Sequence, residues 1–108
     1  MNTAKNYLSL GESFEEKGKY FKAERLYKKA LRAVESQEPQ DNEAFIDCLY
    51  NLGMVQAALD KNIDSIDNLE RLLSHLSETR PHTDPDLLEV RATIEDLYPE
   101  LSLKAVNS

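Results

Sequence analysis

The residues able to do covalent or metal chemistry are few in this 108-residue chain: one cysteine, two histidines and a scatter of carboxylates. A nucleophilic thiol needs a base beside it, and no histidine lies on the helix predicted around Cys48 or on the one before it. Cys48 therefore reads as a small buried or half-buried hydrophobic residue, and a lone cysteine excludes any intrachain disulfide. His75 and His82 are separated by a predicted helix end and lack ligand-spaced partners, so they read as surface residues. The run Asp60-x-Asn62-x-Asp64 begins like a calcium loop, but Ser65 stands where the glycine belongs and Arg71 where the bidentate glutamate belongs. Gly11, Gly18 and Gly53 are the only glycines, and they form no loop that could cradle phosphate. These patterns point away from an enzyme, a metal or a cofactor and toward a surface that binds.

Apolar residues recur at the three-and-four spacing of amphipathic helices along nearly the whole chain. The first helix is expected over 3–17, with Ala4, Tyr7, Leu8, Leu10, Gly11 and Phe14 on its apolar face and Gly18 closing it in a left-handed conformation. The second, over 19–36, buries Tyr20, Ala23, Leu26, Tyr27, Ala30, Leu31 and Val34. Lys22, Arg25, Lys28, Lys29 and Arg32 form its solvated side, where Glu24 and Lys28 pair across one turn. A proline loop follows, with Asp41 or Asn42 as cap of a helix over 43–59. The break at 60–62 leads into a helix over 63–78. Asp84 then caps a fifth helix that starts at Pro85 and stops at 98 before Pro99, leaving 102–108 as a flexible tail.

Sliding the chain over itself by 42 residues places Leu10-Gly11 on Leu52-Gly53, Lys19 on Lys61, Leu31 on Leu73 and Pro39 on Pro81. Within the first unit the order is Tyr7-x2-Leu10-Gly11-x2-Phe14, then Ala23-x3-Tyr27, with Ala30 one turn on. This order of aromatic and small residues resembles the tetratricopeptide repeat, and the longer period is similar to that of kinesin light chains. The resemblance implies an all-α, right-handed solenoid of helical hairpins, about two and a half tetratricopeptide repeats in five helices. It covers one domain over 1–101: repeat one at 3–38, repeat two at 43–80 and a closing helix at 84–98. Repeat two departs from the pattern, with Gln56 and Asn62 where repeat one has Phe14 and Tyr20, and Ser65, Leu69 and Leu72 where it has Ala23, Tyr27 and Ala30. Glu95 falls where the earlier repeats carry Gly11 and Gly53, as suits a closing helix with a solvated outer side.

The resemblance also implies that the first helix of each hairpin lines a groove that binds peptides or helices of other proteins. Carried over by position, that groove takes Lys5, Leu8, Ser9 and Glu12 from the first helix, Asp47, Tyr50, Asn51 and Met54 from the third, and Glu89, Ala92, Thr93 and Asp96 from the fifth. Tyr50 and Met54 are expected to be exposed apolar anchors, and Asn51 matches an asparagine that bonds ligand backbone in the family. The family's clamp for a terminal carboxylate is missing, because Leu8, Glu12, Glu89 and Thr93 stand where it needs basic and amide groups. Four acids against Lys5 favour a partner with basic residues around one or two apolar anchors.

Net charge is −7, divided as +3 over residues 1–35 and −10 over 36–108. The acidic majority argues against nucleic acid or an anionic membrane as partner. The first residues lack the continuous apolar stretch of a signal peptide, and with no disulfide the expected location is cytoplasmic. An alternative to the adaptor role is a structural one, a homodimer built through the terminal helices.

Overall fold

In the computed structural model the backbone is described for residues 3–107 and side-chain environments for 3–98. Five helices follow in order: α1 (Thr3–Glu16), α2 (Tyr20–Glu35), α3 (Asn42–Ala58), α4 (Asn62–Thr79) and α5 (Pro85–Asn107). The expected boundaries hold within about two residues for the first four. The fifth continues through Pro99, which was expected to end it; proline removes one helical hydrogen bond without forbidding helix beyond it. The proposed tail, 102–108, lies outside the residues whose side chains are described.

Each successive pair of helices is packed together, and α1 also touches α3. The molecule is 22 Å across its shortest dimension, the thickness of two helices. One layer holds α1, α3 and α5 and the other α2 and α4; Glu24 near the start of α2 pairs with Lys61, the residue that precedes α4, and Glu35 at its end with Arg71 within α4, so these two helices run in the same direction.

The two hairpins are built alike. A Cβ at Gly11 would lie 2.7 Å from Cδ1 of Tyr27, and one at Gly53 would lie 2.7 Å from Cδ2 of Leu69, the residue 42 positions after Tyr27. Glycine at both sites is what permits a large side chain of the second helix to lie on the backbone of the first, and a bulkier residue would force the helices apart. The turns match too. Lys19 N–H donates to the Phe14 carbonyl at 2.9 Å, and Lys61 N–H to the Gln56 carbonyl at 2.8 Å, the long bond of a helix-closing motif. Gly18 takes φ of 75° and Asp60 φ of 61° to make those turns; a carboxylate side chain tolerates this region better than most. At the starts of α3 and α5, Asp41 accepts from the Ala44 N–H at 3.1 Å and Asp84 from the Leu87 N–H at 3.2 Å.

Ala23, Tyr27, Ala30, Val34, Leu49, Leu69, Leu72 and Leu76 form the centre of the core, and Leu87, Val90 and Ile94 of α5 cover its far side. Leu52 and Ile94 are buried while Leu10, their equivalent, is 50% exposed, contrary to its expected place on the apolar face. The reason is position in the stack: α3 and α5 each pack on a preceding helix, α2 and α4, and among the described residues none precedes α1. On α5 Arg91 and Glu95 are exposed, and so is Leu88, at 47%.

A polar cluster crosses the core where sequence periodicity predicts a solvated pair. Glu24 is buried, 4% exposed. Its carboxylate accepts from Lys61 Nζ at 2.7 Å and from Gln56 Nε2 at 3.2 Å, while Gln56 Oε1 accepts from Asn68 Nδ2 at 2.7 Å. The expected Lys28 pair exists, at 3.5 Å, as the outermost member of this group. Gln56 and Lys61 therefore have a structural role in joining hairpin to hairpin. Burial pushes the Glu24 carboxyl up, but the hydrogen bonds from Lys61 and Gln56 and the charges of Lys28 and Lys61 outweigh it and hold the group below its usual range.

Candidate peptide-binding face

The layer of α1, α3 and α5 presents the carried-over positions, and the structure divides them into three groups. Glu12 and Asp47 are exposed, as are Lys5, Glu89 and Asp96. Tyr50, Asn51, Met54 and Thr93 are half-buried. Leu8 is 7% exposed and belongs to the core beside Ala4, so it does not line an open surface. α1 packs on both α2 and α3, and Ala4 and Leu8 lie in the core so formed.

Tyr50 is less open than its sequence position predicts. It packs against the core, and its hydroxyl donates to Glu89 at 2.9 Å, tying α3 to α5. That hydrogen bond and then burial push its phenol pKa up, so the ring keeps its proton. Thr93 bonds the Glu89 carbonyl on its own helix at 3.0 Å.

Besides a hollow of about 380 Å³ where Arg80 lies beside Glu43, Ile46, Asp47 and Asp86, two hollows open on this face. One, of about 290 Å³, has Ile46, Leu72, Leu76 and Val90 among its walls and Asp47, Asp86, Glu89 and the Tyr50 ring around them. Burial and then the neighbouring Glu43 and Asp41 push the Asp47 carboxyl up, with Lys5 opposing. The second hollow, of about 370 Å³, is lined by Glu12, Glu15, Glu16, Tyr20, Tyr27 and Asn51. Tyr27 donates to Glu15 there at 2.6 Å, and burial followed by that bond raises its pKa. Glu12 and Asn51 thus meet in one hollow and Asp47 and Tyr50 in the other. Met54 and Thr93 line neither. The residues that sequence reasoning missed are Ile46, Asp86, Glu15 and Glu16. The first two were legible only once α5 was known to lie against α3.

Of the remaining reactive groups Cys48 and His75 are packed into the structure, and His82 is exposed. Burial, with Asp47, Glu35 and Asp41 nearby, pushes the Cys48 thiol up to about 12, which keeps it protonated and unreactive near neutral pH. His75 packs edge-on against Phe45 with centroids 4.8 Å apart and shares a hydrogen bond with Asn42. Among the described residues no group of His, Cys, Asp and Glu is placed to hold a metal ion, and no helix is long and apolar enough to cross a membrane. Comparison of the chain with protein-family models, with curated proteins and with solved structures finds no match.

Proposed function

We propose that this chain is a tetratricopeptide-like adaptor, a right-handed solenoid whose α1, α3 and α5 face binds a peptide segment carrying Lys or Arg beside one or two apolar anchors. The observation that carries this reading is the hollow beside Tyr50: aliphatic walls with carboxylates of Asp47, Asp86 and Glu89 around them, of which Asp86 also pairs with Arg80 at 2.9 Å and Glu89 with the Tyr50 hydroxyl. Such a socket takes a long basic side chain along its whole length, the methylenes against Ile46 and Val90 and the charge among the acids. The Glu12, Glu15 and Glu16 hollow offers a second basic position, and Asn51 lies there with an amide able to bond peptide backbone. No catalytic group, metal or cofactor enters this proposal, and a cytoplasmic location belongs to it as an expectation. A second reading is self-association through the terminal helices, where Leu10 of α1 and Leu88 of α5 are exposed at 50% and 47%.

Selection from a random peptide library tests the proposal. Enriched sequences should carry Lys or Arg flanking apolar residues. Tyr50→Ala should weaken the best peptide about tenfold at any salt concentration, as loss of a central aromatic contact does. Glu12→Gln with Asp47→Asn should act mainly at low salt, where each exposed charge contributes less than ~1 kcal/mol. Enrichment of acidic peptides, or indifference to all these substitutions, would remove the face from consideration.

A further inference from the structure

The opposite layer, α2 and α4, carries a pattern that the peptide-binding reading does not use. At residues 42 apart, the outward stripes of the two helices hold matching apolar residues and opposite charges: Phe21, Arg25 and Lys28 on α2, and Ile63, Asp67 and Glu70 on α4. All six are exposed, Phe21 at 64% and Ile63 at 66%. They follow one another at i, i+4 and i+7, so each set forms a single line along its helix. Next to these lines Arg32 on α2 and Asp64 on α4 extend the same signs. Among the described residues no ion pair engages Arg25, Arg32, Asp64 or Asp67.

We propose that this layer is a self-complementary interface that pairs two copies of the chain, the basic α2 of each lying on the acidic α4 of the other. The charge pattern selects the symmetry. Because α2 and α4 run in the same direction, a two-fold axis parallel to them and between them brings each α2 over the partner's α4, and both contacts join opposite signs. A two-fold axis across the helices would set basic α2 on basic α2 and acidic α4 on acidic α4, which is repulsive at both places. The exposed rings and methyls of Phe21 and Ile63 supply the apolar area that charge alone does not. Helices of 16 and 18 residues are about 25 Å long, so the pair of faces buries on the order of 1,000 Å² in total, the lower limit for a specific contact. The expected dimer is therefore weak and sensitive to salt. It leaves the α1, α3 and α5 face of both copies open, and would give a bound partner two sites.

The test is sedimentation equilibrium of the full chain from ~1 to ~500 µM. At low salt the mass should rise from 12.3 kDa toward twice that value, and ~0.5 M salt should weaken association at least tenfold. Arg25→Glu with Arg32→Glu, and separately Asp64→Arg with Asp67→Arg, should each abolish the dimer while circular dichroism shows an unchanged helical fold. Mixing the two variants should restore a dimer, because both contacts again join opposite signs. Net charge cannot produce that recovery, since both variants remain negative overall. A wild-type chain that stays monomeric throughout, a dimer indifferent to the reversals, or variants that fail to pair on mixing would overturn the proposal.

Discussion

Removal of residues 84–108 should leave a chain that no longer melts cooperatively and that aggregates at micromolar concentration. Leu87, Val90 and Ile94 are buried against the rest of the core, and Leu72 and Leu76 of α4 line the hollow shared with α3 and α5. Burying a large aliphatic side chain contributes ~1.5 to 3 kcal/mol, so losing these contacts from both sides removes on the order of 10 kcal/mol. A domain of this size has ~5 to 15 kcal/mol in total. The exposed flank of α4 would also be a continuous apolar strip, without the exposed charges of Arg91 and Glu95 that α5 carries. Thermal melting followed by circular dichroism, with light scattering for aggregation, checks this outcome. A monomeric truncation with an undiminished transition would mean that α5 is an appendage rather than the closing element.

Glu24→Gln should lower the melting temperature by roughly 10 °C near neutral pH, a loss of ~2 kcal/mol. The carboxylate holds Lys61 and Gln56 at one buried point where α2, α3 and α4 meet, and an amide can neither balance the lysine charge nor accept from both donors with two oxygens. Lys61 is 36% exposed and can turn to water, which keeps the loss below that of a fully enclosed pair. The pH dependence follows from the direction of the Glu24 shift. Its pKa is lower folded than unfolded, so its contribution is present above the unfolded value, about 4.3, and is lost as pH falls through the folded value. The difference between wild type and Glu24→Gln should therefore shrink as pH falls below about 4. A difference independent of pH would show that the substitution acts through packing and not through charge.

The hairpins were legible because their determinants are local or spaced by one turn. Gly11 and Gly53, with a large residue 16 positions after each, specify a close approach of two helices wherever the rest of the chain goes. Capping by Asp41 and Asp84 is likewise a matter of three residues. Glu24 was not legible in this way. It follows Ala23 and precedes Arg25 on a basic helix, and its burial depends on Gln56 and Lys61, which arrive from 32 and 37 residues away. A signal was present: Gln56, on the apolar side of α3, replaces the aromatic Phe14, and a polar residue there needs a partner. Leu10 lost its expected burial, and Leu8 its expected place in the groove, for a related reason. Periodicity marks a broad apolar face, but only the arrangement of neighbours decides which edge is covered, and Leu8 lies in the core that α1 forms with α2 and α3. Tyr50 lost part of its expected exposure to α5, whose Glu89 takes its hydroxyl.

Binding on the α1, α3 and α5 layer is the central functional claim, and amide chemical-shift mapping of the isotopically labelled chain tests it most directly. The titrant is the tightest basic peptide from the library selection. The largest shifts should fall at Glu12, Asp47, Tyr50, Asn51 and Asp86, with α2 and α4 resonances from Arg25 to Arg32 and Asp64 to Glu70 unmoved. Shifts confined to α2 and α4, with the hollow beside Tyr50 unaffected, would contradict the account and assign partner binding to the opposite layer.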